Sequence, residues 1–234
     1  MFKFDKLVFG DLGWGDEFLF ATLMTLTVSI LSMGLGLCLA IITVWAKLIK
    51  SNISRFIANF YTTVIRGVPE LLVIYLIFFG GNAVVMNIAK VFGYNGYIEL
   101  NALTIGTIAI AFISATYSSE VLRAAYLSIS KGQIEAAKAL GLNKISIFIK
   151  ILVPQIIRYA LPGIGNVWQI TLKDTSLISV TGLVEIMRQS RIASNVEHSP
   201  LTFLVTAAFL YLFLTTFSGK FFKKLEVKFS KGYN

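Results

Sequence analysis

The residues with the clearest chemical potential are charged side chains inside otherwise apolar parts of the chain. An ionisable group in a membrane-spanning segment is costly in free energy and usually faces protein or a water-filled cavity. Such groups are therefore candidates for the path of a polar solute, or for ion pairs that hold helices together. They are Arg66, Glu70, Glu120, Arg123, Lys173, Asp174 and Glu185.

The spacing of these groups predicts different neighbours for each pair. Arg66 and Glu70 are four residues apart, so they can meet on one helix face, although Pro69 between them predicts a kink. Adjacent residues cannot face each other on a regular helix, so Lys173 and Asp174 should each meet another segment. For Glu120 and Arg123 the favoured interpretation is an ion pair with a structural role. With their polar neighbours, the candidate path residues are Arg66, Glu70, Glu120, Asn166, Lys173, Asp174, Thr175 and Ser176.

The elements that must position these groups are membrane spans. The 234-residue chain is 56% hydrophobic and only 14% charged, whereas about a quarter of an ordinary soluble domain is charged. Its uncharged stretches are near or above the ~18 residues that mark a spanning helix. The composition and the hydrophobic runs predict an all-α integral membrane protein of one domain. Its five spans are expected at about 18–46, 56–80, 100–125, 158–184 and 199–219.

Basic residues in the loops predict the orientation of these spans. Loops rich in lysine and arginine stay in the cytoplasm, and here poor and rich segments alternate along the chain. The loop 126–158 and the tail after Gly219 each contain five basic residues and one acidic residue. The amino terminus is therefore expected outside and the carboxyl terminus in the cytoplasm. A nucleic-acid partner is not expected despite the net charge of +9, because the cations flank spans without interleaved aromatic residues.

The long loop between the third and fourth spans predicts two short helices. Ser130 and Gln133 have capping-box spacing, and Gly141 is a helix stop. Asn143 is a candidate N-cap of the second, amphipathic helix, which Pro154 is expected to close. The small side chains of Ala136, Ala137 and Ala139 would present a low surface that fits a cleft on another protein, with Glu135 fixing the register. An interfacial helix on anionic lipid fits the loop's residue spacing equally well.

Several motifs resemble a known family. Glu135-Ala136-Ala137, Gly141 and Ile151-Leu152-Val153-Pro154 resemble the EAA loop of ATP-binding-cassette (ABC) importer permeases, with Val153 where leucine is usual. Other segments are similar to the polar amino acid subfamily, and in detail to permeases of the histidine, lysine, arginine, ornithine or octopine type. These segments are Tyr61–Glu70 with Arg66-Gly67-Val68-Pro69, Ser130–Gln133, Pro154-Gln155, Arg158–Asn166 and Lys173–Leu177.

The resemblance implies the type I ABC importer permease fold, with residues 126–157 as a cytoplasmic coupling loop. It also implies a homologous second permease chain, identical or different, two ABC ATPase subunits and an extracytoplasmic solute-binding protein. ATP would be bound by the ATPases, and this chain has no phosphate-binding loop of its own. The coupling residues implied by the resemblance are Gly132, Glu135, Ala136, Ala137, Gly141 and Pro154.

The sequence thus predicts a non-catalytic, channel-forming subunit of an inner-membrane importer for cationic amino acids or opines. Glu70 or Glu120 would then be the counter-ion of the solute side chain. No catalytic residue, cofactor or metal site is expected, since the chain has one His, one Cys and no clustered carboxylates. A permease for glutamine, glutamate or cystine is the alternative. An ion-coupled secondary transporter is disfavoured because no internal repeat is visible.

Overall fold

The computed structural model describes residues 3–11, 13–94, 96 and 101–230, and the regular elements in these ranges are helical. Five helices are long and apolar enough to cross a membrane, which confirms the expected number of spans. The other three helices are shorter and connect or flank them. The main helices are α1 (Gly15–Leu48), α2 (Asn52–Gly67), α3 (Glu70–Val91), α4 (Ala102–Leu127), α5 (Lys131–Ala139), α6 (Lys144–Thr181), α7 (Ile186–Glu197) and α8 (Pro200–Ser230).

The segment expected to form one kinked span over 56–80 is divided into two helices. Val68 adopts an extended conformation (φ −108°, ψ 143°), because the residue before a proline is disfavoured in the α region. Helix α2 therefore ends at Gly67 and α3 begins at Glu70. Only α3 has the length and hydropathy of a span, whereas α2 is amphipathic, with Phe56 and Phe60 exposed on its apolar face.

Helix α6 does not end at Pro154 as the sequence suggested. Proline lacks an N–H group and its ring would clash with the carbonyl of Lys150 in a regular α-helix. The turn before it, Phe148–Leu152, is a wide π turn, a form that accommodates such a local mismatch without ending the helix. The chain therefore remains helical from Lys144 to Thr181 and ends at Gly182, which has φ +97°.

Helix α4 forms the centre of the bundle. It makes its most extensive contacts with α1 and α6, and half of its residues are buried. The contact with α1 is close because small residues line it: Gly36 lies against Ser114 and Ala111, and the Ser32 hydroxyl donates to the Thr107 carbonyl at 3.0 Å. Small residues allow helix backbones to approach in a membrane, where packing replaces the hydrophobic effect.

Gly36 should therefore be intolerant of a larger side chain. An added Cβ would overlap Ser114 Oγ, and the Ala111 carbonyl oxygen lies 3.1 Å away, whereas nothing lies within 4 Å of a Cβ at Gly34 on the same helix. We expect Gly36→Leu to lower the free energy of unfolding by about 1–3 kcal/mol through overpacking. The matched Gly34→Leu change should not lower it, and should raise it by up to about 1 kcal/mol because leucine is the better helix former. Equal unfolding midpoints of the two variants in detergent would contradict the close α1–α4 contact.

Candidate translocation site and coupling surface

Arg66 and Glu70 meet on the ring of Tyr117, near the middle of α4. The Tyr117 hydroxyl donates to Glu70 Oε1 at 3.1 Å, and Arg66 Cζ lies 5.6 Å from the Tyr117 ring centroid. The ion pairs within the described residues do not join Arg66 to Glu70. The expected i,i+4 pair is thus wrong, because the break at Pro69 places the two residues on separate helices. Instead, an acid and a base flank one aromatic ring.

The carboxyl group of Asp174 completes this cluster. Asp174 is 9% exposed, and its carboxyl group lies close enough to that of Glu70 for the two to interact electrostatically. Adjacent Lys173 lies on a different side of the helix and is exposed, so the prediction that it also meets another segment is not confirmed within the described residues. Two carboxylates in contact repel each other unless a proton or a cation lies beside them. The Glu70–Asp174 pair therefore suits a positively charged group.

Glu120 belongs to a separate ion-pair network. Its carboxylate accepts from Lys47 Nζ at 2.5 Å and lies 3.7 Å from Arg123 Nη1. The Lys47 ammonium also donates to the Thr62 hydroxyl at 2.8 Å. Two cations already neutralise Glu120, so the acid pair with Glu70 is the better counter-ion for a solute.

Lys47 and Tyr117 were missed by the sequence interpretation. Lys47 lies one residue beyond the expected span 18–46, but α1 extends past it and its side chain is only 3% exposed. Tyr117 lies three residues before Glu120, a spacing that places both on one face of α4. The three-residue spacing from Glu120 was therefore the sequence signal that could have identified Tyr117 as a site residue.

A polar cavity extends from Arg66 and Tyr117 of the first cluster to Glu120 of the second, while Glu70 and Asp174 lie outside its lining. Its volume is ≈ 450 Å³, and Tyr117 and Glu120 form its wall on α4. The opposite wall is the polar face of α2. The cavity therefore adjoins both Arg66 and the α4 groups, and is large enough for an amino-acid-sized solute. The lining residues are Asn59, Thr62, Thr63, Arg66, Gly67, Tyr117 and Glu120.

The remaining predicted path residues on α6 have different surroundings. Asn166 and Lys173 are exposed, together with Tyr159 and Pro162, at spacings of three, four and seven residues that define one helix face. Ser176 is half-buried. Thr175 is fully buried and its hydroxyl donates to the Leu172 carbonyl at 2.7 Å. Thr175 is thus directed into the bundle and does not face the cavity.

Glu185 has a structural setting outside the spans. It is fully buried at the start of α7, where its carboxylate accepts from the backbone N–H groups of Met187 and Arg188 and from the Tyr211 hydroxyl. Burial raises the pKa of Glu185, although these three hydrogen bonds act in the opposite direction. An acidic N-cap stabilises the start of a helix. This capping role explains why a buried acidic residue is found at position 185.

The loop between α4 and α6 forms a compact unit. Gly141 ends α5 with φ +75°, and Asn143 caps the next helix by accepting from the Ser146 N–H at 2.8 Å, both as the sequence predicted. The predicted capping box is wrong. The Ser130 side chain makes no capping bond, and Gln133 instead accepts from the Gln155 amide at 2.7 Å. A tertiary contact with α6 has replaced the local one.

Helix α5 has an anchored face and a free face. Ala137 is buried against Ile129, Ile147 and Leu152. The prediction that Ala137 forms part of the exposed docking surface is therefore wrong. Helical periodicity requires this, because Ala136 and Ala137 differ by about 100° around the helix. The free face, here called the coupling surface, comprises Gly132, Glu135, Ala136, Ala139 and Leu140, all exposed, and Gly141 and Pro154 are also exposed beside it.

Comparisons with known proteins identify the class. Residues 32–229 match the family described as "Binding-protein-dependent transport system inner membrane component", and the chain belongs to this family. It is 44% identical to the octopine transport system permease protein OccQ of Agrobacterium tumefaciens (strain Ach5), covering 96% of this chain and 94% of the relative. It is 36% identical to the histidine/lysine/arginine/ornithine transport system permease protein HisQ of Escherichia coli (strain K12), with coverages of 94% and 96%.

Solved structures agree with this class. The crystal structure of an amino acid ABC transporter with histidines contains a chain with 27% identity and a TM-score of 0.78, which covers 92% of this chain and 95% of that chain. An inward-facing structure of the MetNI methionine ABC transporter, at 15% identity and a TM-score of 0.68, shares the fold.

These comparisons confirm the expected permease family and the type I importer fold. The chain is a multi-pass inner-membrane transport component rather than a catalyst. The alternative of an ion-coupled secondary transporter is not favoured.

Proposed function

We propose that this chain is one of two permease subunits through which an ATP-driven importer moves a cationic amino acid or opine across the inner membrane. The observation that supports the cargo most directly is the proximity of the Glu70 and Asp174 carboxyl groups beside the Tyr117 hydroxyl, which donates to Glu70 at 3.1 Å. The names of relatives agree with it, since they describe transport of octopine, nopaline or histidine, lysine, arginine and ornithine.

The charges around Tyr117 match the charges of such a solute. A cationic side chain would lie at the Glu70–Asp174 pair, where it relieves the repulsion between two carboxylates. The α-carboxylate would meet the exposed guanidinium of Arg66, which can donate two parallel hydrogen bonds to a carboxylate. Both ends of the solute would then be recognised by groups that flank the same ring.

The exposed polar face of α6 is the proposed contact with the second permease chain. Asn166 and Lys173 lie within a span, and a polar or charged group at that depth faces protein or water rather than lipid. A homologous partner, identical or different, would cover this face and complete the path. Neither chain would perform covalent chemistry or bind a cofactor.

The coupling surface is the proposed docking site for one of two ABC ATPase subunits. Leu140 is 82% exposed next to the small Ala136 and Ala139, so it would insert into a cleft while the alanines allow close approach. This assignment places the loop and the carboxyl terminus in the cytoplasm and the amino terminus outside, where a solute-binding protein delivers the cargo. ATP would be bound and hydrolysed by the ATPases alone.

The continuous helix α6 supplies the proposed connection between the coupling surface and the cavity. Ala137 packs on Ile147 and Leu152 of α6, and the same helix continues to Asp174. Closure of the ATPases on ATP would move α5, and with it α6, the helix that contributes Asp174 to the acid pair. The cavity would change from inward-open to outward-open, and hydrolysis would reset it.

The docking assignment predicts a face-specific crosslink. In a Cys38→Ser background, Ala136→Cys should crosslink to the ATPase subunit of the assembled transporter, because residue 136 is exposed on the coupling surface. The adjacent Ala137→Cys should not, since residue 137 is 3% exposed. Crosslinked bands are measured on denaturing gels. Labelling of residue 136 by lipid probes alone would support the interfacial-helix alternative instead.

The cargo assignment predicts a charge-specific loss of transport. Glu70→Gln keeps the size of the side chain but removes its charge, so arginine uptake should fall about 10- to 100-fold, the value of one charge-assisted hydrogen bond. Glu17→Gln, an exposed acid at the start of α1, should leave uptake unchanged. Radiolabelled uptake by cells with the complete importer measures this. Undiminished arginine uptake by the Glu70→Gln variant would refute the counter-ion role without affecting the docking assignment.

A further inference from the structure

The end of α8 extends beyond what a membrane span requires. The helix has 31 residues, and at 1.5 Å per residue it is ~46 Å long, against a hydrocarbon core of ~30 Å. It remains packed on α6 as far as Phe222, whose ring lies 6.2 Å from that of Trp168 and against Gly165. The turns around and beyond Phe222 therefore reach the headgroup region on the side of the coupling loop.

One outward face of α8 changes from aromatic to cationic along its length. Phe213, Phe217 and Phe221 recur every four residues and are 66%, 71% and 56% exposed, as expected for a lipid-facing stripe. Lys224 follows Phe213 by eleven residues, and Lys228 follows Phe217 by the same interval. Eleven residues are about three helical turns, so the lysines lie almost directly in line with the phenylalanines.

The cationic part of this face forms a shallow concavity. Its volume is ≈ 370 Å³, and Lys220, Lys223, Lys224 and Val227 line it. Within the described residues, the ion pairs include none of these lysines. All three lysines are exposed. The lining is mostly apolar, so the aliphatic stems of the lysines form it. Their exposed ammonium groups then lie around the concavity, because a long cationic side chain keeps its charged end in water.

We propose that this face, Lys220, Lys223, Lys224 and Lys228 with the phenylalanine stripe above it, is a binding site for an anionic phospholipid. The lipid phosphate would lie at the lysine ammonium groups around the concavity, with the acyl chains along Phe213 and Phe217. Basic residues next to a span attract anionic headgroups, and the aromatic stripe supplies the apolar contact for the acyl chains. An acidic protein surface would match the lysines but not the phenylalanines in line with them. This site is independent of the cargo and of ATPase docking.

Native mass spectrometry of the full chain tests the proposal. The chain is purified in detergent and mixed with equimolar phosphatidylglycerol and phosphatidylcholine, and the bound lipid is counted. We expect the unaltered chain to retain phosphatidylglycerol preferentially. The Lys224→Gln/Lys228→Gln variant should reduce this preference about 30-fold, since each lysine near an anionic surface contributes a factor of about five.

Two control variants define the outcomes. Lys224→Arg/Lys228→Arg keeps both charges and should retain the preference, whereas Lys50→Gln/Lys90→Gln removes two exposed charges elsewhere and should not reduce it. Equal binding of the two lipids by the unaltered chain would overturn the proposal. An unchanged lipid preference in the Lys224→Gln/Lys228→Gln variant, with loss of ATPase co-purification from cells, would also overturn it and assign the face to protein docking.

Discussion

The cost of a charge inside a membrane is the constraint on which the structure depends. A charged group in a span must find a partner or water within the bundle, and the buried ones here do so by converging on α4. Lys47 from α1 pairs with Glu120 and also donates to Thr62 from α2, while Glu70 from α3 accepts from Tyr117 and lies close to Asp174 from α6. Polar contacts thus link α1 and α3 directly to the central helix, and α2 and α6 through them. The apolar side chains fill the space between these contacts.

The same constraint separates the structural charges from those available to a solute. Glu120 is already held between Lys47 and Arg123. The carboxylate of Glu185 accepts hydrogen bonds from backbone N–H groups at the start of α7. Glu70 and Asp174 have each other and a tyrosine, but no cation within 4.0 Å among the described residues. A permease for cationic solutes needs such an incomplete site, because the solute supplies the missing charge.

Much of the architecture could be predicted from the sequence because it follows from local rules. Uncharged runs gave the number of spans, and Gly141 and Asn143 gave the helix boundaries in the coupling loop. The errors arose where a tertiary contact or a backbone adjustment outweighed the local rule. Pro69 broke a helix where a kink was expected, whereas a π turn let α6 pass Pro154.

The candidate site was harder to predict for the same reason. Its charged members could be listed, since charges in apolar runs are conspicuous. Which of them meet depends on how α3 and α6 pack on α4, and no spacing within one helix contains that information. Lys47 and Ala137 show the same limit, because only their packing reveals that both are buried.

We propose that the incomplete acid pair selects a cationic solute for an ATP-driven importer. The most direct measurement is the ATPase activity of the assembled importer with its cognate binding protein and a panel of amino acids. We predict stimulation by arginine, lysine, histidine or octopine and none by glutamate or glutamine. Stimulation by glutamate or glutamine, without any response to the cationic compounds, would contradict the account.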